Sequence, residues 1–367
     1  MTTQQPVPER LQVSPFLVLY LIMSMQIGIG VLGYQRIIAK AAGYDAWISV
    51  LGAGLSIHII IWMIYKICGT VDGDIVAANA YVFGKKIGNI VSVLFVVYLL
   101  VFALAVLRTY IEVIQVWMFP ELNIFWYSFC FLLLSVYIVF GGFRTVTGVA
   151  FFCIVLPSYL LLTFAFALKF AEFRNLLPIF DHSLKEMATG AFNMSLTYIG
   201  FEIPIFFYPF IKDPQKSHKW AHFGVFLTTM IYTILAIITF AYFSEEQLAK
   251  SIWATLEMWK IVSMPFVERF EYIGIANWNL IILPNVCIAL WSSSIILKRG
   301  FKLKQRKGVI ILAIICLIAI NFFDTRAKIN FLNDWTGRIG FVVTYLYIPF
   351  LFIATKIAKK VKNKNES

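Results

Sequence analysis

Residues 24–36 read SMQIGIGVLGYQR, and residues 196–210 read LTYIGFEIPIFFYPF. Both are apolar stretches of helix-forming length, and both are interrupted near the middle. The first carries Gly28, Gly30 and Gly33; the second carries Gly200 followed by Pro204. Glycine costs about 1 kcal/mol against alanine inside a helix. Proline at 204 removes a backbone donor, and its ring clashes with the carbonyl of residue 200. Each stretch is therefore expected to be a helix that unwinds part-way.

The chain around these breaks is built for a membrane. Of its 367 residues 60% are hydrophobic and 14% charged, against roughly 45–50% and about 25% for a soluble domain. That composition excludes an ordinary cytosolic enzyme and a disordered chain. Crossing a bilayer takes about 20 mostly apolar residues. Ten such spans are predicted, at 14–35, 47–67, 90–116, 124–143, 146–169, 188–211, 220–243, 272–297, 308–323 and 337–357. No small-residue cleavage site follows the first, so it reads as a span and not as a signal peptide. The fold class expected is an all-α polytopic membrane protein, a single membrane domain of ten transmembrane helices.

Charge sets the orientation. Ten spans put both termini on one side, and that side collects Lys85, Lys86, Lys212, the run from Lys298 to Lys307 and the lysines from Lys356 to Lys364. Its few acids include Glu9, Asp72, Asp74, Asp213 and Glu366. Such a bias places both termini in the cytoplasm. The net charge of +12 thus reads as a topology signal with no nucleic-acid partner. The basic runs are solvated loops that also lie within reach of anionic membrane lipids.

Two halves, 14–169 and 188–357, each open on a broken helix, with Gly28 and Gly200 at similar depth. This is the pattern of a 5+5 inverted repeat with broken helices 1 and 6, and paired breaks are the best sequence pointer to a transporter-type binding site. Freed N–H groups suit a carboxylate, and freed carbonyls suit an ammonium or another cation. An α-amino acid presents both charges on one carbon. The plainer alternative is that the glycines and proline serve kinks and close helix packing.

Glu202, just after the second break, has two readings: a proton or ion site, or a carboxylate capping the second half-helix. Arg108 and Glu112 lie at i and i+4 and are expected to form a structural ion pair. His58, with no partner at ligand spacing, reads as a core histidine, while His182, His218 and His222 are uninformative. Tyr98 and Phe102 sit one turn apart in span three. In span eight Asn277, Asn279, Asn285 and the Ser292–Ser294 run are polar handles, and Trp291, roughly 10 Å from the basic loop, lies inside the core. Residues 244–271, with Leu248, Ile252, Leu256 and Trp259 at helical spacing, suggest an amphipathic helix in the outer interface, either a lid or a strut. The five scattered cysteines read as buried small hydrophobes. No metal spacing, cofactor motif or catalytic constellation is present, so an enzyme is not expected.

Several segments resemble the B subunit of the spore germination (nutrient germinant) receptors, within the amino acid/polyamine/organocation transporter superfamily. They are Gly28-Ile29-Gly30-Val31-Leu32 with Ala46-Trp47-Ile48, then Ile199-Gly200-Phe201-Glu202 with Pro209, and Ile252-Trp253-Ala254-Thr255. Phe266-Val267-Glu268-Arg269-Phe270-Glu271 is the most family-specific, and Asp334-Trp335-Thr336-Gly337 the weakest. One departure is Gln35 before Arg36, where members often carry proline. The resemblance implies a subunit of the spore inner membrane that binds a small nutrient, such as an amino acid, beside an A subunit and a lipoprotein C subunit. Candidate ligand positions are then Gly28, Gly30, Tyr98, Phe102, Ile199, Gly200, Phe201 and Trp291. A proton- or sodium-coupled amino-acid symporter, with Glu202 as coupling group, and a scaffold subunit with a vestigial pocket remain the alternatives.

Overall fold

The computed structural model describes residues 7–265 and 267–366, the last four by their backbone alone; Phe266 and the side chains of Lys364 and Glu366 thus lie outside it. Helices supply the regular structure of the described residues, and pairing of extended segments is limited to two isolated bridges. Six helical stretches among them are long and apolar enough to cross a membrane: Tyr34–Val71, Lys85–Trp117, Phe143–Phe170, Pro214–Tyr242, Phe270–Phe301 and Arg326–Lys362. They contain spans two, three, five, seven, eight and ten. Spans four and nine are the shorter helices Ile124–Phe140 and Gln305–Ile320. Spans one and six are broken. The chain is an all-α polytopic membrane protein.

The first break has three parts. Helix α1 (Leu17–Gln26) stops at Ile27, a short 3-10 turn covers Ile29–Leu32, and α2 (Tyr34–Ala42) resumes after Gly33. Span one therefore runs on to Ala42, seven residues beyond the expected end at 35. The expected break is present, and the half-helix that follows the unwound turn carries the span past its expected end. After α3 (Ala46–Val71), the Asp74 carboxylate caps a short helix, α4 (Ile75–Phe83), that the hydropathy did not separate. Asp74 also pairs with Arg299. The long α5 (Lys85–Trp117) follows, then α6 (Ile124–Phe140) and α7 (Phe143–Phe170).

Span six enters through α8 (Leu184–Asn193), opened by a Ser183–Glu186 capping box, and α9 (Ser195–Tyr198). It breaks at Ile199–Ile203 and restarts at α10 (Pro204–Phe207), whose proline sits at the first turn, where its missing N–H costs nothing. Gly200 has φ +116°, a conformation open to glycine and strained for other residues. Helix α11 (His218–Tyr242) leads to the outer segment.

That segment differs from the expected interfacial helix. It forms two short helices, α12 (Glu245–Lys250) and α13 (Ala254–Trp259), with Ser251–Trp253 non-helical between them. Leu248, Leu256 and Trp259 are buried in protein, while Ile252 is exposed. The helical spacing is real but is satisfied by folding inward onto the core. Helix α14 (Phe270–Phe301), with Pro284 inside it, runs through the centre and packs along α5. After α15 (Gln305–Ile320), span ten forms one continuous helix: α16 (Arg326–Phe341), a π segment at Val342–Tyr347, and α17 (Ile348–Glu366). Asp334-Trp335-Thr336-Gly337 thus lies within the last helix and not ahead of it.

Ahead of α1, the strand-like residue Val13 bridges Ile211: the Val13 N–H donates to the Phe210 carbonyl at 2.9 Å, and the Lys212 N–H to the Val13 carbonyl at 2.9 Å. The start of broken helix one is thereby clipped to the end of broken helix six. Lys212 also reaches Glu9 at 2.5 Å, and its hydrogen bond holds that carboxyl below its usual range.

Candidate functional site

The two breaks face each other. Between them lies a small cavity of about 20 Å³, walled by Met25, Gln26, Gly28, Ile29 and Gly30 on one side, by Leu196, Thr197 and Ile199 on the other, and by Phe102 and Asn333. That is room for about one water molecule. The approach is close enough that a Cβ on Gly30 would sit 2.9 Å from the Thr197 hydroxyl, and one on Gly200 2.5 Å from the Met25 Cβ. The glycines thus both weaken the helices and let two backbones touch.

A backbone freed inside a membrane needs partners, because each unsatisfied group there costs several kcal/mol. Here side chains from other helices supply them. Asn285 of α14 donates to the carbonyls of Ser24 and Met25. The Tyr232 hydroxyl bonds the Gln26 carbonyl at 2.6 Å, with Thr197 O at 3.3 Å. Trp278 Nε1 donates to the Gly28 carbonyl at 3.2 Å, and Thr255 of α13 to the Val31 carbonyl at 2.9 Å. Gln35 in turn donates to the Thr255 hydroxyl at 2.9 Å. The outer segment is therefore bonded directly to the first break, as a lid would be. The carbonyls expected to greet an ammonium are engaged by the protein in this state.

At the second break the carboxylate of Glu202 accepts the Gly200 N–H at 2.9 Å and the Tyr98 hydroxyl at 2.5 Å. Glu202 is buried, and among the described residues it has no ion pair. Its capping reading has direct partners in this geometry. Two other acceptors near the first break, Gln26 Oε1 and Asn285 Oδ1, are buried without a donor. The chemistry available is recognition by amide, hydroxyl and backbone dipoles. Among the described residues no cluster of His, Cys, Asp or Glu has the makings of a metal site.

The expected site residues divide into groups. Gly28, Gly30, Phe102 and Ile199 line the cavity. Tyr98, Gly200 and Glu202 lock the second break behind it. Phe201 turns to a neighbouring crevice. Trp291 is not at the cavity: it packs 4.4 Å from the Phe143 ring and 4.9 Å from Phe210. Six residues, about 9 Å of helix, separate it from Asn285, so on α14 the site level is that of Asn285 and Trp278. Glu112 and Arg108 do not bond each other as expected. Glu112 pairs with Arg326 at 2.6 Å, and Arg108 donates to the Phe323 carbonyl at 2.5 Å. A carbonyl just past the end of α15 attracts a cation, and that geometry outcompetes an i,i+4 pair worth a few tenths of a kcal/mol.

The sequence offers no signal for Tyr232, Trp278 or Asn333; Thr255 stands in it only as part of a family-like segment, and Asn285 as a polar group in an apolar helix. His58 also gains a partner, bonding His222 at 2.6 Å, which bonds His218 at 3.0 Å.

Residues 12–329 match the model of a family described as "Spore germination protein". The chain is 46% identical over 347 residues to the spore germination protein GerQB of Bacillus cereus, covering 95% of this chain and 96% of that one. It is 22% identical to the spore germination protein A2 of Bacillus subtilis (strain 168), covering 96% and 98%. Among solved structures, a Na+-coupled sialic acid symporter superposes with TM-score 0.67 at 12% identity, over 94% of this chain and 81% of that one. MhsT in complex with L-phenylalanine gives TM-score 0.67 at 12% identity, over 96% and 89%. At these identities the likeness is one of fold.

Proposed function

Because this chain belongs to the spore germination protein family, we propose that it is the nutrient-sensing membrane subunit of a germinant receptor. In this reading it binds a small amino acid or similar germinant between the unwound parts of helices one and six. It catalyses no reaction, and it signals to A and C partner subunits in the spore inner membrane, with both termini cytoplasmic. The observation that carries the reading is the pair of facing breaks around one small cavity. A cavity of about 20 Å³ is too small for an amino acid, so binding must part the breaks. A ligand that binds the parted state better shifts the population toward it, by no more than its differential affinity. The lid contact from Thr255 to Val31 and the clip from Val13 to Ile211 are the natural places to read that movement.

The test is a thermal-shift screen of amino acids on the purified chain, with germination of spores carrying it as a second readout. Ligand at 100 times its Kd adds about 2.7 kcal/mol to apparent stability. Gly30→Ala, which pushes a methyl toward Thr197, is expected to abolish both responses. No shift with any nutrient, or an equal shift in the variant, would overturn the assignment.

A second reading, a proton- or sodium-coupled amino-acid symporter, is favoured by the buried Glu202 carboxylate, which has hydrogen-bond donors but no ion pair among the described residues. Against it stand the Asn285 amide donors on the very carbonyls a cation would need. Concentrative uptake into proteoliposomes by this chain alone would decide for transport.

A further inference from the structure

A larger cavity, about 270 Å³, lies beside the second break and apart from the one between the breaks. Its walls are α3, the α8–α9 half of helix six, and the π segment of the last helix. Small residues hollow it out: Gly52 and Ala53 on α3, Ala188 and Ala191 on α8. The π segment widens the third wall at Thr344 and Tyr345. Its rim is exposed and apolar at Gly52 and Phe192. Ser56, in its wall, is ten residues and about 15 Å along α3 from Ala46, at hydrocarbon depth.

The lining offers no donor to an anionic occupant. No charged side chain is part of it. The proton of every hydroxyl in the wall is already committed. Tyr345 donates to Ser56 at 2.6 Å, and Ser56 to the Ala53 carbonyl at 2.6 Å. Ser195 donates to Phe192 O at 2.5 Å, Tyr198 to Val50 O at 3.1 Å, and Thr344 to Gly340 O at 2.8 Å. No donor is left for a carboxylate or a phosphate. A crevice at this depth borders acyl chains, and an unfilled void forfeits the dispersion contacts of its walls.

We propose that this crevice is a binding site for one acyl chain of a bilayer phospholipid, packed against Ile199 and Phe201 on either side of Gly200. Ile199 faces both cavities. The chain therefore bears on the helix-six break from the membrane side, and acyl composition tunes how readily that break moves.

The test uses the full chain in nanodiscs containing a phospholipid with a photoreactive diazirine in its acyl chain. After photolysis and proteolysis, label is expected to concentrate on 191–201 and 341–345. Gly52→Leu places its side chain where nothing lies within 4 Å of a Cβ, so it fills the mouth without a clash. It is expected to lower label there roughly fivefold, while label on α6 and α15 stays constant as an internal reference. Ala191→Phe is the second variant. Uniform label over all lipid-facing helices, no change in either variant, or displacement of the label by a free amino acid would each overturn the proposal.

Discussion

The Tyr98 hydroxyl donates to Oε1 of Glu202 at 2.5 Å, joining the middle of α5 to the unwound stretch of helix six. The other carboxylate oxygen accepts the Gly200 N–H at 2.9 Å. One side chain thus satisfies the backbone of the break and anchors it to a neighbouring helix. Tyr98→Phe removes the anchor and leaves a buried carboxylate with a donor missing. Hydrogen bonds to charged groups contribute about 1.5–3 kcal/mol, so a clear fall in Tm is expected. Glu202→Gln presents one acceptor oxygen to two donors and is expected to fall similarly. A Tm unchanged in both would refute the anchoring role.

Gly200 adopts φ +116°, and a Cβ there would meet the Met25 Cβ at 2.5 Å. Gly200→Ala therefore adds backbone strain of about 1–3 kcal/mol to a direct clash between the two breaks. Lower thermal stability and loss of the nutrient response are expected together. Gly52→Leu, at a glycine with open space around it, should leave stability near wild type.

Asn285 holds the carbonyls of Ser24 and Met25. Asn285→Leu strands both, and each buried unsatisfied group costs about 1–3 kcal/mol. Asn285→Asp replaces the donor by a negative charge facing two carbonyls, which is a cation site in outline. Melting curves with and without sodium are expected to coincide for the native chain and to separate for Asn285→Asp. Sodium-dependent melting of the native chain would favour the symporter reading.

Thr255 links the outer segment to the first break through Val31 and Gln35. Thr255→Val keeps the shape and removes both bonds. Hydrogen exchange of residues 251–262 should then accelerate, with a stability loss of about 1–2 kcal/mol. Exchange as slow as in the native chain would mean that packing of Leu256 and Trp259 alone seats the outer segment.

Much of the fold was legible because its signals are local. Apolar runs of membrane length, with cations biased to one side, marked ten spans without reference to anything else in the chain. Gly28, Gly30 and Gly200 weaken a helix interior, and Pro204 can start a helix but not continue one from the residues before it, so both breaks could be located from the residues alone. Their partners could not. Glu202 finds Tyr98 across 104 residues, Asn285 finds Met25 across 260, and His58 finds His222 across 164. Those pairings depend on the rotation and depth of helices packed against each other, which the hydropathy of each helix leaves open.

The same limit explains the differences at Glu112, Trp291 and the outer segment. Glu112 had a cation four residues away, but the start of α16 brought Arg326 closer. Trp291 was placed correctly inside the core, yet one and a half turns from the site. Leu248, Leu256 and Trp259 recorded an apolar face but not whether lipid or protein covers it. By itself the sequence determined where the chain crosses the membrane and where it must unwind, because backbone preference and transfer free energy belong to each residue. Only the tertiary structure decided who satisfies the unwound backbone and how tightly the two breaks close, because hydrogen-bond geometry and steric fit belong to pairs of residues brought together by packing.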